Sequence, residues 1–246
     1  MSSTLPVFSV EELPTGELAR LDGPEGKHAA TVRRMRSGAR LLLSDGRGGV
    51  AECLVTDVAR DALDLEVVRR DRVPAAEPRV RLVQALVKGD RGELAVELAT
   101  EAGVDLVTPW RAERCVARWE DGPRGAKALA RWRNSALQAA KQARRAWTPT
   151  VTEPCSTSEV ADTLRGSEAA FVLHESAELG LADVELPTAG EIAVVVGPEG
   201  GITDQELSTL RAAGVRPVRL GHEVLRASTA GAVALGALGA LTPRWR

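Results

Sequence analysis

The chain has 246 residues, of which 44% are apolar and 27% charged, with a formal net charge of −2. That balance is ordinary for a soluble globular protein and leaves room for one large domain or two modest ones. No apolar run suggests a membrane span, and Met1 to Leu13 lack the basic start and apolar stretch of a secretory signal. Three separate cysteines (Cys53, Cys115, Cys155) and three scattered histidines (His28, His174, His222) argue against a disulfide framework or a metal site, so a cytoplasmic, metal-free protein is expected.

In chain order, Ala39 to Ser44 reads as a short apolar strand. A glycine-rich turn follows at Asp45 to Gly49, then Val50 to Val58 and Ala62 to Val68, the latter with Leu63, Leu65 and Val67 on one face. Short strands joined by tight turns predict a small β-barrel. Asp71 to Pro78 holds two prolines and no apolar periodicity, which places a boundary there: a first domain over 1–73 and a second over 77–246.

Beyond the boundary, strand and helix alternate. Val80 to Val87 is a strand, Asp90 to Ala102 a helix stopped by Gly103, and Val104 to Thr108 a strand. Ala126 to Ala146 is a long helix with Leu129, Trp132, Ala136, Ala140 and Ala143 along one stripe. The continuous apolar runs Ala169 to Leu173 and Ile192 to Val196 suit central parallel strands covered on both faces. Thr203 to Ala213 is a helix in which Thr203 and Glu206 can form a capping box. Val215 to Leu220 is a strand interrupted by Pro217, and Ser228 to Leu241 a helix of small residues and leucines suited to close packing on another helix or subunit. The alternation predicts an open α/β sheet.

Charge is uneven. Lys27 to Gly48 carries six basic residues and one acid, and Arg118 to Arg145 eight and two, whereas Glu153 to Glu206 carries twelve acids and one base. Two basic stretches on a nearly neutral chain point to a local polyanion site, although solvated faces are the commoner fate of charge runs. Four tryptophans (Trp110, Trp119, Trp132, Trp147) can stack on a base or pack a core, and core packing is the expectation.

The local signal for chemistry is Gly197-Pro198-Glu199-Gly200-Gly201 directly after a buried strand. Open α/β sheets bind ligands at the carboxyl ends of their strands, and glycines let backbone N–H groups approach a ligand. The loop is neither GxGxxG nor a P-loop, and a plain strand-to-helix turn explains it equally well. Leu173-His174-Glu175 and Leu220-Gly221-His222-Glu223-Val224-Leu225-Arg226 follow two other apolar strands, so three strand-end loops are expected to converge on one pocket.

The run GPEGGIT-x-x-E, followed by a strand and then LG-x-x-x-LR-x-x-T ending at Thr229, resembles the SPOUT class of methyltransferases. Within it, the chain most resembles the RsmE family of 16S rRNA uracil-N3 methyltransferases. His28 with Val32-Arg33-Arg34-Met35 looks like that family's N-terminal element. Lys88-Gly89-Asp90-Arg91, Glu101-Ala102-Gly103-Val104 and Glu113-Arg114-Cys115 look like its central blocks, and Gln142, Arg145 and Pro149 fit its Q-x-x-R-x-x-x-P block. The chain departs from the pattern at Lys141 and Ser228, where the family often has Glu, and at Leu98, where Lys is common.

The resemblance implies a trefoil-knotted SPOUT domain, an exception to the rule against knots, preceded by a PUA-like RNA-binding barrel, and a homodimer acting on 16S rRNA of the small ribosomal subunit. S-adenosylmethionine would lie on Leu173, His174 and Glu175, on Gly197, Pro198, Glu199, Gly200 and Gly201, and on Leu220, Gly221, Val224, Leu225, Arg226 and Thr229. Arg226 is the first candidate to stabilise an anionic uracil, with Glu113 and His28 as weaker candidates for taking the N3 proton. Arg33, Arg34, Arg114, Gln142, Arg144 and Arg145 would contact RNA. A SPOUT enzyme acting on another RNA position, a non-catalytic RNA-binding assembly factor and a small-molecule nucleotide enzyme are the competing readings.

Overall fold

The computed structural model describes residues 5–245, so residues 1–4 and 246, the outermost parts of the two expected domains, lie outside the described residues. The chain divides into two compact units, Met1–Ala75 with Ala140–Thr148, and Ala76–Ala139 with Pro149–Arg246.

The first unit contains β1 (Val7–Ser9), β2 (Leu18–Leu21), the short helix α1 (Gly23–Lys27) running into a π-helical turn at His28–Val32, then β3 (Arg40–Ser44), β4 (Gly49–Val58) and β5 (Leu63–Arg72). They form one five-stranded sheet in the order β1-β3-β4-β5-β2. β1 runs parallel to β3, and the other neighbours are antiparallel. Alternation in β4 and β5 sends Ala51, Cys53, Val55, Leu63 and Leu65 inward onto Phe8, Leu21, Leu41 and Leu43.

The small barrel expected from the sequence takes the form of a curled half-barrel, with β1 and β2 at opposite edges of the sheet. Its curl follows from β4, where the register against β5 shifts at Glu52/Cys53 and again at Val55/Asp57, and such irregularities bend a strand pair. The turn between β3 and β4 needs its glycines: Gly48 sits at φ 91°, and a Cβ there would come within 2.7 Å of the Trp147 ring. Segment 140–148 belongs to this unit, with Gly48 N–H donating to Ala146 O and Thr148 N–H to Gly46 O.

The second unit runs β6 (Arg79–Ala85), α2 (Arg91–Glu101), β7 (Leu106–Trp110), α3 (Pro123–Gln142, of which residues 140–142 count with the first unit), β8 (Thr150–Val151), α4 (Thr157–Leu164), β9 (Ala169–Leu173), β10 (Glu191–Val196), α5 (Asp204–Ala212), β11 (Arg216–Val218) and α6 (Ala227–Leu241). Its six strands are all parallel, in the order β11-β9-β10-β6-β7-β8. β9 and β10 are central and almost wholly buried, as their unbroken apolar runs require. The chain builds outward from β6 to β8, then returns to place β10 between β9 and β6, so the carboxyl ends of β9, β10 and β11 open at one edge where strand order reverses.

Boundaries move for local reasons. α3 starts at Pro123, whose missing N–H costs nothing in the first turn, and stops at Gln142, two residues before Arg144 takes a left-handed backbone (φ 54°). β11 covers only Arg216–Val218, around the proline. α6 lies against α2, β6 and β10, and its small residues let it in closely: a Cβ on Gly231 would come within 2.9 Å of Leu82 Cδ2. Trp110 and Trp132 are core residues, and Trp119 stands edge-on to Trp132 at 4.9 Å. Among the described residues no helix is long and apolar enough to cross a membrane, and no group of three His, Cys, Asp or Glu could hold a metal.

Candidate active site

Three loops at the carboxyl ends of β9, β10 and β11 line one cleft of about 810 Å³ in the second unit, a volume typical of a small-molecule site. Leu173, His174 and Glu175 come from the first loop, Gly197 to Ile202 from the second, and Arg219 to Ala227 with Ser228 and Ala230 from the third. Of the expected cofactor residues, all line the cleft except Thr229, whose hydroxyl turns back to Arg226 O at 3.2 Å. The lining mixes apolar side chains (Leu173, Val196, Leu220, Leu225) with charged ones (Arg91, Arg114, Glu175, Glu199, Glu223, Arg226).

Each loop is held by its own sequence. His174 N–H donates to Val218 O, fastening the first loop to β11, and His174 Nδ1 lies 2.9 Å from Ser176 Oγ. The second loop folds onto itself through Gly201 N–H to Pro198 O, with Gly201 at φ 77°. Gly197 has no room for a side chain, because a Cβ would meet Ile202 Cγ1 at 2.6 Å, so glycine lets Ile202 close onto the loop. Arg91 reaches Glu199 at 3.7 Å. α5 begins immediately after this loop with the expected capping box: Thr203 Oγ1 accepts from Glu206 N–H, and Glu206 accepts from Thr203 N–H.

Arg226 is the N-cap of α6 through its backbone alone; its carbonyl accepts from Thr229 and Ala230, and its exposed side chain forms no ion pair among the described residues. Ser228, where an acid was expected from the family pattern, is buried in the first turn of α6 and lines the cleft.

The other expected residues are dispersed. Glu113 sits on the loop after β7; its side chain is exposed and does not line the cleft, and its N–H donates to Glu206 Oε1 at 2.8 Å. Its neighbour Arg114 does line the cleft and donates to Gly200 O at 3.3 Å. His28 lies in the first unit at the start of the π-helical turn, with its ring 6.1 Å from Phe8 in an edge contact. Arg33, Arg34, Gln142 and Arg144 are exposed residues of that same unit, and Arg145 is half-buried there. Arg34 (φ 51°) and Arg144 (φ 54°) are the two non-glycine residues with left-handed backbones among those described. Such backbones disfavour a side chain by about 1–2 kcal/mol and concentrate at functional positions.

Lys141, another departure, is satisfied within the first unit: its Nζ lies 2.6 Å from Glu25 Oε1.

Residues 75–239 match the RNA methyltransferase domain family, and residues 21–68 match the RNA methyltransferase PUA domain family. A Mycobacterium bovis protein, ribosomal RNA small subunit methyltransferase E, is 50% identical over 97% of this chain and 93% of its own length. The chain belongs to the RsmE family. The Bacillus subtilis RsmE protein is 28% identical over 93% of this chain and 91% of its own. A crystal structure of the Neisseria gonorrhoeae RsmE protein bound to S-adenosylmethionine superposes with a TM-score of 0.87 at 29% identity, covering 97% of this chain and 98% of that one. A Legionella pneumophila methyltransferase with the same bound cofactor gives 0.87 at 27% identity, covering 97% and 98%.

Two features of this RsmE chain were missed in the sequence. Glu206 reads as a helix cap, and nothing local reveals its reach to Glu113, 93 residues away. Gln84 sits one position inside the end of β6, fully buried, with Oε1 the one buried side-chain oxygen or nitrogen lacking a partner among the described residues. A polar residue in the apolar run Val80 to Val87 was the available signal.

Proposed function

We propose that this chain transfers the methyl group of S-adenosylmethionine to N3 of a uridine in 16S rRNA of the small ribosomal subunit. The observation that carries this reading is the convergence of three family-type loops and Arg226 on a single cleft. The cleft suits the cofactor: its apolar walls suit an adenosine group, and its charged rim suits an amino-acid tail. The bound cofactor in the Neisseria relative supports the same assignment.

S-adenosylmethionine supplies a methyl group on a sulfonium, an electrophile that needs no activation by the chain. The chain's task is to present uracil N3 as a nucleophile. That nitrogen is protonated at neutral pH, so negative charge spreads onto the ring oxygens as the proton leaves. Arg226, cationic and without an ion-pair partner among the described residues, is placed to stabilise that charge. Glu175 and Glu223 line the cleft without ion pairs among the described residues, and either is better placed than Glu113 to take the proton. Arg114 meets RNA at the cleft, while Arg33, Arg34 and Arg144 hold phosphates.

The proposal includes a homodimer in the cytoplasm. Leu94 of α2 and Val233 and Leu241 of α6 leave apolar surface on two packed helices, which supports a subunit contact there. The placing of β10 between the earlier strands β6 and β9 supports the trefoil threading.

Incubating the protein with methyl-labelled S-adenosylmethionine and unmodified small ribosomal subunits tests the reading. Label in 16S rRNA is expected. Measurable cofactor binding with no label in subunits or free rRNA would overturn it in favour of another RNA or an assembly role.

A further inference from the structure

Glu206 is 5% exposed, and its carboxylate meets donors from three separate parts of the chain. Oε2 accepts from Thr203 N–H at 3.0 Å and Thr203 Oγ1 at 3.1 Å, which completes the helix cap. Oε1 plays no part in the cap. It accepts from Glu113 N–H at 2.8 Å and from Thr157 Oγ1 at 3.1 Å. Thr157 Oγ1 in turn accepts from Trp110 Nε1 at 3.1 Å, so the network is anchored on a wholly buried indole.

The residue after Glu113 is Arg114, whose guanidinium donates to Gly200 O and lines the cleft. The approach is tight: a Cβ on Gly200 would stand 3.0 Å from Arg114 Cβ. One buried carboxylate therefore fixes both the start of α5, just after the glycine loop, and the loop that lays an arginine across that glycine loop. Charge-assisted hydrogen bonds of this kind are stronger than neutral ones and fix geometry.

We propose that Glu206 is a positioning residue for Arg114, and that engagement of RNA at the cleft depends on it. This rests on the reading of the cleft as a methyltransferase site. A residue acting only as a cap would affect α5 and leave the loop at 111–115 untouched. Glu206→Ala removes both functions, and Thr203→Val weakens the cap alone. Glu206→Gln keeps a carbonyl oxygen for Glu113 N–H and Thr157 Oγ1 but turns an amide N–H toward Thr203 N–H, so it weakens the cap and spares the contact to the loop.

The test combines hydrogen–deuterium exchange across residues 111–117 in the full chain, calorimetric binding of S-adenosylmethionine, and KM and kcat with unmodified small subunits. In Glu206→Ala, exchange at 111–117 rises and KM for subunits increases about tenfold or more, the loss of roughly one arginine contact, while cofactor affinity stays within about threefold. Glu206→Gln stays near wild type in all three, and Thr203→Val leaves loop exchange and subunit KM unchanged. Combining Glu206→Ala with Arg114→Ala adds little to Arg114→Ala alone, as expected of residues acting as one unit. Should Glu206→Ala not fold, Glu206→Asp, one methylene too short for Glu113, is read in the same way. Unchanged loop exchange, a Thr203→Val defect equal to that of Glu206→Ala, or full additivity with Arg114→Ala would overturn the proposal. Absence of methyl transfer by the wild-type chain would instead overturn the functional reading, with exchange still deciding the positioning role.

Discussion

Lys141 Nζ and Glu25 Oε1 lie 2.6 Å apart within the first unit, with side chains only 15% and 25% exposed. Glu25 Oε2 also accepts from Ser9 N–H, so the carboxylate joins Lys141, α1 and the last residue of β1 into one polar contact within the first unit. Removing one member of a partly buried pair strands the other charge. Lys141→Ala is expected to destabilise the chain by about 1–2 kcal/mol, a fall in Tm of a few degrees, and Lys141→Glu by more. The exchange of both residues, Glu25→Lys with Lys141→Glu, recovers part of the loss. Thermal melts check this, and a neutral Lys141→Glu would contradict it.

Arg34 and Arg144 carry left-handed backbones that glycine adopts freely. Arg34→Gly and Arg144→Gly are each expected to leave stability unchanged or raise it by up to about 1 kcal/mol. Each also weakens RNA binding and lowers the slope of log affinity against log salt by about one. Denaturant unfolding and salt-dependent RNA binding read the two effects separately. A stability loss with unchanged RNA binding would mean that these side chains serve the fold.

Glu191 on β10 meets Arg81 on β6 through two hydrogen bonds, at 2.9 and 3.1 Å, and also accepts from Ser167 Oγ at 2.9 Å. Burial pushes its carboxyl up, but Arg81 and Ser167 together outweigh burial and hold it below the ordinary carboxylate range. A depressed native pKa contributes stability above the unfolded value of about 4.3, and that stability is lost as pH falls through the lower native value. Wild type should therefore lose stability steeply below about pH 4.3. Glu191→Gln should be less stable at pH 7 by about 1–2 kcal/mol, with a flatter acid limb. Parallel acid limbs for the two proteins would contradict this account.

Gln84 Oε1 is fully buried and unpartnered, while its Nε2 donates to Ala85 O at 3.2 Å. An unsatisfied buried acceptor costs about 1–3 kcal/mol. Gln84→Met keeps the volume and removes the acceptor, so Tm should rise by about 2–4 °C per kcal/mol recovered. A lower Tm would show that the amide has a partner in solution.

Much of this architecture was legible in the residues. The unbroken apolar runs at Ala169 to Leu173 and Ile192 to Val196 suited buried parallel strands, which they are, and Thr203 with Glu206 announced a helix start that the hydrogen bonds bear out. The short edge strands Val7–Ser9 and Leu18–Leu21 and the two-residue strand Thr150–Val151 were not legible, because so few residues carry no periodicity and their pairing is wholly non-local. The curled first-unit sheet was legible in the alternation of its strands, but how far it closes was not, because closure depends on which edges meet. At the cleft, the loop residues were visible as motifs, whereas the Glu113–Glu206 contact joins positions that only the folded sheet brings together.

Nucleoside analysis of 16S rRNA from unmodified small subunits treated with the protein and S-adenosylmethionine decides whether uridine N3 is the methyl acceptor. The Arg226→Ala variant is run beside wild type. The side chain of Arg226 makes no cap hydrogen bond, so this variant should keep its Tm, with a stability change within about 0.5 kcal/mol. Wild type is expected to form 3-methyluridine, and the variant to form it about a hundredfold or more slowly. Label in a different nucleoside, or undiminished 3-methyluridine formation by Arg226→Ala, would contradict this expectation.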